Sequence, residues 1–214
     1  MGMNDLRLEI AQLAANYLRE GLVESFQLAK ERAAKSIGAS KDADYPSNIE
    51  LQKCLVENLQ LMEGDVWHHR IADMRTAALA AMKFFDEFDP HLVGSVLYGT
   101  AVQDSVISIH VYSDDLESII FRLTDANITY RLNDQTLKLP RKDSVTFPVI
   151  EIAMSEFDFD IVICALAYRF NPPISPLDGK PYLRADREKL EQLIGAQQTL
   201  FGKYFDVRLA GTPR

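Results

Sequence analysis

Gly94-Ser95-Val96-Leu97-Tyr98-Gly99-Thr100-Ala101-Val102-Gln103-Asp104-Ser105-Val106-Ile107-Ser108-Ile109-His110-Val111-Tyr112 is the stretch on which the fold turns. Residues 91–98 and 105–112 are rich in β-branched and aromatic side chains and read as strands, with Gly99-Thr100-Ala101 as the turn between them. Downstream, residues 114–126 read as a helix that Asp114 or Asp115 caps. Residues 128–132 and 136–139 read as short strands around an Asn133-Asp134 turn. Residues 145–154 and 157–165 follow as longer strands. A proline-rich loop over 171–181 leads to a final helix capped by Asp186, with Leu190, Leu193 and Ile194 facing inward.

Upstream of the stretch the pattern is helical. Leu6, Ile10, Leu13 and Tyr17 recur at steps of three and four, and Leu22, Phe26 and Ala29 continue the stripe to about Ser36, with Gly21 marking a bend or break. Ser47 or Asn48 caps a second helix bearing Leu51, Leu55, Leu59 and Met62. Asp65 caps a third, running to about Phe88 with Ile71, Met74, Ala78, Ala81 and Phe85 along one side. Helices followed by a strand-dominated block predict an α+β fold. The expected division is 1–89 as a helical region for packing or dimerisation, 90–195 as an α/β domain, and 196–214 as a C-terminal tail.

Bulk composition narrows the function. The 214 residues are 47% hydrophobic and 25% charged, as expected of a globular chain. No apolar run reaches the roughly 18 residues that span a bilayer. The start of the chain lacks a signal peptide's basic and apolar segments, so a cytoplasmic location without a membrane partner is expected. The net charge of -8 disfavours nucleic acid, whose binding rests on phosphate neutralisation. Residues 169–214 nonetheless carry eight Lys and Arg against five Asp and Glu. Cys54 and Cys164 have no CxxC spacing and read as reduced, buried thiols.

The quoted stretch resembles the active-site segment of the DNA polymerase beta-like nucleotidyltransferase superfamily. In that family a Gly-Ser pair ends a strand, a Gly-Thr-Ala turn follows, and Ser-Asp-Ile-Asp-Leu forms the next strand. Gly94-Ser95, Gly99-Thr100-Ala101 and Ser105 fall on these positions without a gap. The resemblance covers about residues 92–194. With the loop Ser175-Pro176-Leu177-Asp178-Gly179-Lys180-Pro181 it points to a group of poorly characterised, degenerate bacterial members. It implies a mixed β-sheet with flanking helices, preceded here by the helical region. It also implies nucleotide contacts at Gly94, Ser95, Gly99 and Thr100.

In the family two aspartates at i and i+2 and a third carboxylate on a neighbouring strand hold two divalent cations. Here the paired positions are Val106 and Ser108, so the metal seat is lost. Asp160 best matches the third position, with Asp158, Glu151 and Asp104 as other residual acids. The competing reading makes them solvent-face residues of an antiparallel sheet. The expectation is a catalytically silent protein that binds a nucleotide or another phosphate-containing small molecule, with no cofactor. The alternatives are an active transferase using Mg²⁺ in an acidic site rebuilt from those carboxylates, and a structural protein that forms a homodimer through its N-terminal helices.

His68 and His69 point about 100° apart on a helix and cannot clamp one metal. His110 shares the Ser108 face and is the histidine to test for ligand contact, with sheet packing as the plainer role. Trp67 reads as a helix-packing anchor. Neither a nucleophile elbow nor a P-loop is present in the sequence.

Overall fold

In a computed structural model of the chain, residues 3–40, 43–140 and 142–196 are described. The expected tail lies outside these residues from position 197 onward. Contacts along the chain define two units. One holds the described residues up to Arg70 together with Val102–Asp104. The other holds Ile71–Ala101 and the described residues from Ser105 onward.

The first unit is helical. Helix α1 spans Met3–Arg19 and α2 spans Phe26–Ser36. Gly21, at φ 66°, makes a full break between them, and the Ser25 hydroxyl caps α2 by accepting from the Leu28 N–H. Helix α3 spans Asn48–Met62 and opens with a reciprocal capping box between Ser47 and Glu50. Arg7 of α1 grips both oxygens of Glu50, at 3.0 and 2.6 Å, and donates to Asp44 at 2.6 Å. That guanidinium is the main reason the Glu50 carboxyl is held down at about 2. Cys54 on α3 is only half-buried, because it flanks the inward row Leu51, Leu55, Leu59; Cys164 is fully buried as expected.

Helix α4, Asp65–Phe84, runs into the second unit. It ends four residues before the expected Phe88, because Asp86–Phe88 tightens into a 3₁₀ turn closed by left-handed Asp89 at φ 48°. The sheet elements are β1 His91–Val93, β2 Ile107–Tyr112, β3 Arg131–Leu139, β4 Lys142–Ile152 and β5 Phe159–Cys164. Helices α5, Gly94–Tyr98, α6, Leu116–Asp125, and α7, Arg187–Ala196, complete the unit. Asp115 caps α6 and Asp186 caps α7, as expected.

The order across the sheet is β1-β2-β5-β4-β3, with β2–β5 parallel and the other pairs antiparallel. The chain is therefore mixed α and β, with a five-stranded open sheet.

Two sequence expectations need correction. The strand expected over 91–98 stops at Val93, and 94–98 is helical. Gly94 turns the backbone at φ 73°, and Val96, Leu97 and Tyr98 are buried from a helical turn, so burial overrides their β-propensity. The two strands expected around Asn133-Asp134 are one continuous strand, paired with β4 from Arg131↔Glu151 to Leu139↔Lys142. Asn133 has no glycine after it to favour a hairpin turn, and its amide donates to Glu151 instead, at 2.8 Å.

Strand alternation sorts the sheet into two faces. One carries Ile107, Ile109, Ile150, Ile152, Phe159 and Ile161. The other carries Ser108, His110, Glu151, Asp160 and Val162. On that second face a core of Tyr112, Leu137, Phe147, Val149, Val162 and Cys164 fills one half, with Tyr168 and Tyr182 packed against it. The other half is polar.

Candidate functional site

The polar half is one row across four strands, flanked on β1 by the buried Val93. Val93 pairs with Ser108, Ser108 with Asp160, Asp160 with Glu151, and Glu151 with Arg131. Paired residues share a face, so a hydroxyl, two carboxylates and a guanidinium-bearing residue follow one another along the sheet. Gly94 lies over the start of the row. A side-chain carbon on it would sit 3.9 Å from both Cβ and Oγ of Ser108.

The turn above the row is held by its own carbonyl. Gly99, in the left-handed region at φ 77°, caps α5 and donates its N–H to the Ser95 carbonyl. The Thr100 N–H donates to the same oxygen at 2.8 Å. These amides close the turn. The first N–H groups of the short helix, beginning with Gly94 and Ser95, have no carbonyl within it to bond, and both of these residues are half-buried.

Sequence reasoning missed Arg75. It is 3% exposed and reaches from α4 to donate to the Val96 and Leu97 carbonyls at 3.2 and 3.1 Å. Burial lowers its guanidinium to about 10. The signal was available: Arg75 stands four residues after Ile71 on the apolar stripe of its helix, where a cation must find acceptors.

Of the acidic candidates, Asp160 and Glu151 stay together in the row, whereas Asp158 lies ahead of β5 and Asp104 in the helical unit. Asp160 is half-buried, and burial, then Glu151 and Asp158, push its carboxyl above the usual carboxylate range. Asp158 is exposed just ahead of β5, where its carbonyl accepts from the Ile107 N–H. Glu151 is half-buried and receives the Asn133 amide. Asp104 belongs to the helical unit, with its carboxylate beside Gly21. Val106 precedes β2 and only Ser108 is a strand residue, because hydrogen bonding to β5 begins at Ile107. Among the described residues no group of three or more His, Cys, Asp and Glu is placed to hold a metal ion.

His110 is buried at 2% exposure and its ring packs edge-on against Tyr182, 5.1 Å between centroids. Its Nδ1 has no hydrogen-bond partner among the described residues. Burial, with Arg184 and His91 nearby, lowers it to about 3, so it is a neutral packing residue. The covering Tyr182 side chain gives His110 the packing role rather than a ligand contact.

Comparison with protein-family models, with characterised proteins and with solved structures finds no significant match to the chain.

Proposed function

We propose that the second unit is a nucleotidyltransferase-like domain that binds a nucleotide or another phosphate-bearing small molecule at the Gly94–Ser95 turn and does not transfer it. One observation carries the reading. Ser108 stands in register with Asp160 beneath the Gly94 turn, so the strand position where the resembled family keeps an aspartate offers a hydroxymethyl group. A phosphate there meets backbone donors but lacks the divalent charge that supplies several kcal/mol to phosphoryl transfer. The alternative of an active enzyme requires Glu151, Asp158 and Asp160 to converge on a cation, and their placement does not favour it.

Titration calorimetry with ATP, GTP and inorganic phosphate, with and without Mg²⁺ or Mn²⁺, tests the reading. Metal-independent binding that Ser95→Pro removes is the expected result. Turnover of any nucleoside triphosphate that needs the metal and is lost in Asp160→Ala would replace this reading with the enzyme.

A second role is favoured by the helical unit. Leu61, Met62 and Val66 are 83%, 65% and 65% exposed around the junction of α3 and α4, and exposed apolar side chains that cluster mark interaction surfaces. A homodimer through these residues predicts a doubled mass by light scattering, which Leu61→Asp with Val66→Asp halves.

A further inference from the structure

We propose that the second unit holds another ligand site, on the opposite sheet face from Gly94, for a small apolar molecule with a positively charged amine. An apolar cavity of about 360 Å³ lies between α4 and the end of the sheet formed by β4 and β5. Its size falls in the range of small-molecule sites, roughly 300–1,000 Å³. The concavity has a cause in sequence. Ala77, Ala80 and Ala81 stand on neighbouring turns of α4 and present methyl groups where larger side chains would fill the space.

The walls set the ligand's chemistry. Phe157 is half-buried along the cavity, and an aromatic ring face attracts a cation; the Phe84 ring already has the Arg122 guanidinium over it, 5.0 Å from its centroid. Among its described lining residues Glu156 is the one charged group, exposed beside Ser155. An apolar body satisfies the lining, and an ammonium group satisfies both the Glu156 carboxylate and the Phe157 ring. An anion meets the wrong sign at the mouth and on a chain of net charge -8. The site shares no residue with the Gly94–Ser95 turn, so it stands whether or not that turn binds phosphate.

The test uses three ring-matched probes on the full chain: 1-naphthylmethylamine, protonated at neutral pH, the uncharged 1-naphthalenemethanol, and the anion 1-naphthylacetate. The amine is expected to bind at one site per chain and about three- to fivefold more tightly than the alcohol, the scale of a solvent-exposed charge pair, with the anion weakest. Glu156→Gln erases the amine's preference and leaves the alcohol unchanged. Ala81→Leu fills the cavity and weakens all three at least about tenfold; should that variant not fold, Ala80→Leu at the exposed neighbour serves. Unsaturable binding, equal affinity for amine and anion, or binding untouched by filling the cavity overturns the site. So does light scattering showing that a second chain excludes the probes.

Discussion

Ser108 and Asp160 face each other across the parallel β2–β5 pair, and Glu151 follows Asp160 in the same row. The arrangement is an acidic pair beside a neutral hydroxyl, one carboxylate short of a set that clamps a divalent ion. Replacing the hydroxyl supplies the missing charge without moving the backbone. Ser108→Asp is therefore expected to gain Mn²⁺ affinity by at least about tenfold, or 1.4 kcal/mol. Manganese binding followed by electron paramagnetic resonance reads this directly. An unchanged signal would mean that the row does not converge on one point.

The pair carries a cost at neutral pH. Asp160's carboxyl sits above its ordinary range in the fold, so the folded chain holds that proton more firmly than the unfolded one. The associated stability is present at low pH and is lost as pH rises from about 4 through the raised value. Asp160→Asn is expected to flatten this fall in urea midpoint. It should also strengthen phosphate binding at the Gly94–Ser95 turn several-fold, because a like charge is gone, an effect on the order of 1 kcal/mol. Weaker phosphate binding in the variant would contradict the proposed site.

His110 acts with the opposite sign. It is neutral in the fold down to about 3, whereas an unfolded histidine takes its proton near 6.5. The unfolded chain binds more protons between these values, so stability falls as pH drops through the window, by up to about 1.4 kcal/mol per pH unit. His110→Phe keeps a ring against Tyr182 and is expected to remove most of that slope in chemical denaturation at pH 4–7. His91 is shifted the same way and leaves a remainder.

Gly94 holds a backbone angle that other residues resist. At φ 73° an alanine costs about 1–2 kcal/mol, while its methyl, 3.9 Å from Ser108, meets only ordinary contact. The loss in Gly94→Ala is thus conformational. Thermal unfolding should show a drop of a few degrees, and Ser108→Ala made alongside should not relieve it. Relief would point to a steric clash instead.

Periodicity made the helical unit plain. Leu51, Leu55 and Leu59 recur on one face of α3, and Ser47 with Glu50 spells its capping box. The acidic strand was legible too, because Asp160 alternates with Phe159 and Ile161. The Gly94–Tyr98 helix was not. Val96, Leu97 and Tyr98 favour strands locally, and their helical turn depends on Arg75, which lies on a different element. The row that joins Ser108, Asp160 and Glu151 was equally hidden, since register between distant strands leaves no mark in local composition.

The parallel pairing of β2 with β5 also orders assembly in time. Ser108 meets Asp160 only after about 50 intervening residues have been made and folded back. Contacts of such sequence separation form slowly, because the chain entropy of closing the loop is surrendered first. During synthesis β2 therefore emerges with its hydrogen-bonding edge toward β5 bare. A fragment ending before Phe159 keeps that edge exposed and stands open to pairing with another chain.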